Sequence, residues 1–500
     1  MKMLERISRQ LANNSARPAL FVEGHSYSYA DLAQKIAAIQ ARIEKQVRAT
    51  NTIIGVLAHS DLETYAALLA IIFSGHGYLP INPASPVDRN INILRQAGSS
   101  LLLSSSADVA AGLAAGLPQL EVVDTRALGV MQSLPVLRAV SDSQYAYLLF
   151  TSGSTGIPKG VPINRGNLEY FLVGFFAAGV EMDHNDRVLQ MFDLTFDFSV
   201  MSCFVPWVVG ACLYPAATNE LKFMSVYRLL EERQLTIAPM VPSALAFLRP
   251  YFKEIRLDSL RYSIFCGEPL LASIAQEWAE CTPRSQIINF YGPTEATVFC
   301  SAYRWSPDRQ KAHNGALSIG KPMLHSSMYV VDENRTVLGP DQPGEICLGG
   351  AQLTTGYWND PQRNQEAFFE LGHGGGGERL YRTGDLGYVD ADGDFMFQGR
   401  VDQQVKVQGF RIELAEIEHH ARACAGVKQA VAVAITNRDG NTELILCVED
   451  YQGDVTSVLA ALRGRLPAYM IPARAENFAA FPLNKNGKID RPALRTHVSN

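Results

Sequence analysis

The run Thr151-Ser152-Gly153-Ser154-Thr155-Gly156-Ile157-Pro158-Lys159 concentrates hydroxyls, glycines and one lysine in a single short stretch. That mixture suits a cradle for phosphate, because glycines let backbone N–H groups approach an anion while hydroxyls and an ammonium add donors and charge. It is not the P-loop of NTPases, in which a glycine precedes the lysine and a Ser or Thr follows it; here Lys159 sits between Pro158 and Gly160. A Ser/Gly linker has a similar composition, but this run follows the apolar segment 145–150 directly, and that segment reads as a buried strand. Two more polar turns follow short apolar runs: Cys266-Gly267-Glu268-Pro269 and Asn289-Phe290-Tyr291-Gly292-Pro293-Thr294-Glu295. In open α/β sheets ligands gather at the carboxyl ends of strands, so these loops are expected to converge on one ligand.

The elements that must position these loops alternate. Ser28 and Asp31 open a helix with Leu32, Ile36, Ile39 and Ile43 on one face, and segment 53–57 follows as a strand. A helix over 61–73 comes next, then an extended, proline-pinned segment over 78–83 and strands near 101–103, 187–192, 211–214, 262–266 and 287–290. This rhythm predicts an α/β body with parallel-rich sheets. From Gly344 the pattern turns β-rich, with strands at 345–348, 381–389 and 395–398. Past Gly399 a small α+β unit is expected: a hairpin over 405–410, a helix over 414–424, strands 430–435 and 442–448 joined at Asp439-Gly440, and a helix over 455–466. The glycine-rich stretch 371–377 reads as a loop. The division expected is residues 1–399 as the core and 400–500 as a mobile C-terminal domain.

Composition narrows the function. Five hundred residues with a net charge of -6 exceed one core and carry no basic footprint for nucleic acid. The eight cysteines form no C-x-x-C pair, which argues against a zinc knuckle and for buried thiols. The N-terminus reads as an amphipathic helix, and the longest apolar run, 65–73, is too short to span a bilayer, so a cytoplasmic location is expected.

Taken in order, Thr151 through Lys159, Asn289 through Glu295, Tyr381-Arg382-Thr383-Gly384-Asp385, Gly399-Arg400-Val401-Asp402 and Asn486-Gly487-Lys488 resemble the motif set of the adenylate-forming enzymes. These include acyl-CoA synthetases, luciferase and the adenylation domains of nonribosomal peptide synthetases, and the resemblance spans nearly the whole chain. It implies a first step in which a carboxylate attacks the α-phosphate of ATP with Mg²⁺, and a second in which a thiol displaces AMP. Positioning and charge stabilisation dominate such chemistry. By resemblance, Thr151, Ser152, Gly153, Ser154, Thr155, Gly156 and Lys159 hold the β- and γ-phosphates. Gly267, Glu268, Pro269, Asn289, Phe290 and Gly292 complete the nucleotide site, where Tyr291 faces adenine and Thr294 meets phosphate. Glu295 is the metal ligand, Asp385 holds the ribose and Arg400 stands nearby. Lys488 is the adenylation catalyst and Asp402 the hinge. Gly409 marks the hairpin that walls a pantetheine channel.

Asp197, in Phe196-Asp197-Phe198-Ser199, bears on the acid. A carboxylate beside a pocket is costly unless paired, so a substrate ammonium is its expected partner, the alternative being a helix N-cap. By resemblance Phe198, Met201, Pro239, Ile264, Cys266, Phe290, Val298 and Phe299 line the rest. They are uncharged, and two phenylalanines favour a small side chain. Stand-alone D-alanine:carrier-protein ligases share most of this context, although Phe290 and Phe299 are bulky for it. The expected activity is therefore ATP-dependent activation of a small amino acid and its transfer to a separate phosphopantetheinylated carrier protein. A CoA ligase for a small carboxylic acid and a non-catalytic nucleotide-binding regulator are the alternatives.

Overall fold

In the computed structural model the described residues are 2–153, 156–217, 222–372, 377–437, 441–484 and 489–499. Ser154, Thr155, residues 373–376 of the glycine loop, the Asp439-Gly440 turn and the Asn486-Gly487-Lys488 motif lie outside them. The fold is mixed α/β with parallel-rich sheets, a β-rich subdomain and a small C-terminal unit.

Among the described residues one sheet has six strands, ordered Glu121–Asp124, Leu101–Ser104, Ile53–Leu57, Gly77–Ile81, Tyr145–Thr151 and Lys159–Asn164. All its pairings are parallel except the last, which is an antiparallel hairpin. A second sheet has nine described strands, with Pro18–Val22, Cys212–Pro215, Arg187–Gln190, Ile237–Met240, Tyr262–Phe265 and Gln286–Tyr291 running parallel through its centre.

The helices between the sheets explain why the sheets stay together. Helix Leu62–Phe73 is apolar on every side, so it cannot rest on one sheet with its other face in water. One continuous core joins it and helix Phe198–Val209 to Ile54 and Val56 of the first sheet and Val188, Leu213 and Ile264 of the second. Helix Tyr29–Gln46 starts as its sequence demands: the Ser28 side chain accepts from Asp31 N, and the Asp31 side chain accepts from Ser28 N in return. No described helix is long and apolar enough to cross a membrane.

The antiparallel subdomain pairs Ser326–Val331, Gly344–Gly350, Glu378–Val389, Phe368–Leu371 and Phe395–Arg400. From Gln404 the chain makes the hairpin Gln404–Val407/Phe410–Glu413. A three-stranded described sheet of Gln429–Thr436, Thr442–Glu449 and Arg474–Phe478 follows. These residues carry their own core, with Ile412, Ile417, Leu446 and Leu462 fully buried. Leu446→Ala should therefore destabilise this unit by about 2–5 kcal/mol. Urea unfolding followed by limited proteolysis should show cleavage after 404 at lower denaturant than in the wild type, with the midpoint of the larger body unchanged.

Candidate active site

The described residues of the Thr151–Lys159 run lie where strands Tyr145–Thr151 and Lys159–Asn164 pair, with Thr151 opposite Lys159. Sequence alone suggested a strand running into an open loop; the register closes it as a β-hairpin. Several of its donors already have partners in the C-terminal unit. Ser152 Oγ donates to Arg411 O at 2.8 Å and accepts from Glu413 N at 3.2 Å, while Gly153 N donates to Glu416 Oε2 at 3.1 Å. The buried Thr151 hydroxyl has no partner, and Thr151 lines a cavity that Asp197 and Asp385 share.

Glu295 is fully buried at the centre of this region. Tyr357 Oη donates to its Oε1 at 2.7 Å, Arg411 Nη1 to its Oε2 at 2.8 Å, and Lys159 Nζ stands 3.9 Å away. Burial would raise the Glu295 carboxyl, but Arg411 and Lys159 outweigh it and hold the group at about 2. Burial, with Arg411 nearby, brings Lys159 down to about 8 despite Glu295 and Glu413. A second buried pair joins Arg89 to Glu416 at 2.6 Å.

The hairpin tip explains Gly409. Gln408 and Gly409 have φ of 52° and 83°, as a two-residue turn with left-handed central residues requires. Gly409 N donates to Glu268 Oε1 at 2.8 Å, and a Cβ there would collide with Val241. Beside the tip, Phe410 stacks on Tyr469 with centroids 3.9 Å apart and meets Phe196 edge-on at 4.3 Å.

Asp385 lies on strand Glu378–Val389, accepts from Tyr291 Oη at 2.5 Å and pairs with Arg400. Arg400 turns its Nε to Asp402 Oδ1 at 2.6 Å and its Nη2 to Asp402 Oδ2 at 2.7 Å. One guanidinium thus ties Asp385 to Asp402. A cavity of about 460 Å³ opens beside them, walled by Gly267, Glu268, Pro269, Phe290, Gly292 and Asn289 among others. Asn289 donates its amide to Ser318 O but leaves its buried Oδ1 without a partner, which suits an amine donor such as an aminopurine edge.

Asp197 precedes helix Phe198–Val209 without making a side-chain cap. Burial pushes its carboxyl up to about 6 against a hydrogen bond from Thr294. Phe198, Cys266 and Val298 share its cavity of about 90 Å³. Met201, Pro239, Ile264 and Phe299 do not line that cavity. All four are buried, Met201 on helix Phe198–Val209, Pro239 and Ile264 on parallel strands and Phe299 in the segment after Glu295, with Met201, Ile264 and Phe299 in the inter-sheet core. Phe290 stands on the wall of the larger cavity, its ring 4.2 Å from that of Phe299.

A profile of the AMP-binding enzymes matches residues 7–358. The chain belongs to the AMP-binding enzyme family. A plipastatin synthase polypeptide of Bacillus subtilis is 33% identical over 494 residues, which is 97% of this chain but 19% of that protein. The chain thus spans about a fifth of that relative, and still less of several other multi-domain synthases. The D-alanine–D-alanyl carrier protein ligase of Lactiplantibacillus plantarum is 30% identical over 96% of this chain and 95% of its own length. The Vibrio cholerae adenylation domain AlmE, solved with glycyl-adenosine-5'-phosphate, superposes with a TM-score of 0.88. It is 26% identical, covering 99% of this chain and 97% of that one.

For an AMP-binding enzyme, a magnesium ion would be sought at Glu295. The residues around it do not fit one in this arrangement, because Tyr357 and Arg411 occupy its two oxygens and Lys159 adds like charge. Among the described residues no group of acidic, His or Cys side chains offers an alternative.

Arg411, Arg89, Glu416 and Tyr357 were not singled out by sequence. One signal was present: Glu416 stands between Leu414 and Ile417, on the buried face of helix Leu414–Arg422, where an unpaired carboxylate is rare.

The Glu295 network has a pH signature. Its folded-state pKa of about 2 lies below the ordinary 4.5, so its contribution is present above 4.5 and lost as pH falls toward 2. Glu295→Gln should lower stability at pH 7 by about 3–5 kcal/mol by stranding Arg411 and Lys159. The gap between variant and wild type should narrow on acidification; thermal melts at pH 7, 4.5 and 3.5 read it directly.

Proposed function

We propose that this chain activates a small amino acid with ATP as an aminoacyl-adenylate and passes it to the pantetheine thiol of a separate carrier protein. The observation that carries the reading is Asp197. A buried, uncapped carboxylate on a small cavity, raised to about 6 by burial despite a hydrogen bond from Thr294 and the charge of Lys406, gains from a further cation, and an amino acid supplies one. The glycyl-adenylate in AlmE and the name of the carrier-protein ligase support the same class.

In this reading Asn289 accepts from the adenine amine, and Asp385 accepts from the ribose hydroxyls. The hydroxyl of Thr151 and the ammonium of Lys159 meet the phosphates, with Ser152, Gly153, Ser154, Thr155 and Gly156 completing that turn. Lys488 supplies the cation for acyl attack on the α-phosphate. Asp402 is the hinge about which residues 400–500 swing. The hairpin now over the site leaves a cleft of about 490 Å³ walled by Asp193, Lys222, Gln408, Phe410 and Tyr469, residues that also border the Asp197 cavity. That cleft supports a route for a thiol arm.

ATP–pyrophosphate exchange across amino acids and simple acids tests the reading, with signal expected from a small amino acid and none from acids lacking an amine. Asp197→Asn should raise KM for the amino acid roughly thirtyfold or more, equivalent to losing about 2–5 kcal/mol of charge pairing. KM for ATP should hold. Since only ionised Asp197 pairs with an ammonium, wild-type kcat/KM should fall as pH drops below about 6, a limb the variant lacks.

Gly409→Leu separates the half-reactions. Overpacking against Val241 should slow thiol transfer by roughly five- to a hundredfold, equivalent to about 1–3 kcal/mol, and leave exchange nearly unchanged. Equal loss in both would count against the role of the hairpin.

A further inference from the structure

Directly after Glu295 the backbone takes a form that its residues disfavour. Thr297 and Val298 are consecutive β-branched residues with φ of 56° and 72°, in the left-handed region where a β-branched side chain is a steric outlier. Phe299 N donates to Thr297 O at 3.0 Å across Val298, so Val298 sits at the centre of a three-residue turn with positive φ, a rare and strained form. This turn puts Val298 on the wall of the Asp197 cavity and Phe299 behind it, where the Phe299 ring meets Phe171 at 5.0 Å, Phe198 at 6.0 Å and Phe290 at 4.2 Å.

Strain of this kind persists only where surrounding contacts over-determine it. Here they come from Gln352, which is 1% exposed and lies just past strand Gly344–Gly350. Its Nε2 donates to Phe299 O at 2.8 Å, Ala296 O at 3.2 Å and Thr297 O at 3.5 Å. Its backbone carbonyl accepts from Thr297 Oγ1 at 2.5 Å, and its Oε1 accepts from Ser326 Oγ at 3.2 Å. On the other side, Gly292 lacks the Cβ that would collide with Phe299. One amide therefore gathers the carbonyls of a strained turn that no other described side-chain donor holds.

We infer that Gln352 is a positioning residue for substrate selection: by clamping the 296–299 turn it keeps Val298 and Phe299 forward and the acid pocket shallow, restricting it to the smallest amino acids. The inference rests on the proposed amino-acid activation, and it places the determinant of pocket depth on a residue remote from the substrate.

Gln352→Met keeps length and volume and removes the donors. In pyrophosphate exchange, KM for the preferred small amino acid should rise about tenfold, equivalent to about 1.4 kcal/mol, with KM for ATP within about twofold. Relative kcat/KM for valine or leucine should increase as the turn relaxes. A lower melting temperature with unchanged amino-acid KM and unchanged selectivity would reduce Gln352 to a structural role and overturn the inference. A stability cycle with Val298→Gly reads the clamp without activity, because glycine adopts positive φ freely. Gln352→Met should lower Tm by about 2–4 °C in the wild type and by clearly less beside Val298→Gly. Additive losses would overturn the clamp. Were wild-type exchange to respond to no amino acid, the activity reading would fall and selection with it, while the cycle would still decide whether Gln352 holds the turn.

Discussion

A carboxylate with no access to water must be matched by positive charge, and in this protein the match for Glu295 comes from both sides of the molecule. Lys159 and Tyr357 belong to the large body; Arg411 arrives on the C-terminal hairpin. A buried pair broken by loss of one partner is far more costly than one never formed. The position of the hairpin and the charge state of the site are therefore one variable. Arg89 with Glu416, and Gly409 with Glu268, repeat the arrangement at the edges of the same contact.

The consequence reaches the nucleotide-facing loops. Ser152 and Gly153 hydrogen-bond to residues 411, 413 and 416, so the C-terminal unit occupies donors that would otherwise serve an anion. Arg400 couples Asp385 to Asp402 through a single planar group, whose fixed geometry can satisfy both carboxylates at once. An arrangement with the hairpin over the site is thus held by contacts that an incoming polyanion would compete for. Thr151 and Asn289, which wall the two cavities, keep buried side-chain oxygens without partners.

The cavity beside Asp197 is built on a different principle. It carries a raised carboxylate, and stacked aromatic rings and a strained turn stand at and behind its wall. Phenylalanine rings in a dense core cannot shift singly, because each is braced by the next. That rigidity suits discrimination by size.

Much of this was legible in the residues themselves. Periodicity located strands and helices, since apolar faces must be buried whatever the final arrangement, and the spacing of hydroxyls, glycines and charges marked the loops where chemistry gathers. The partners of Glu295, however, come from residues 136 positions before it and 116 after it, and no local pattern encodes such a meeting. Met201, Pro239, Ile264 and Phe299 are as apolar as the wall residues they stand behind; only packing decides which apolar side chains face a cavity. The left-handed turn at Val298 runs against its own residue preference, so nothing short of the folded surroundings, with Gln352 among them, could have chosen it.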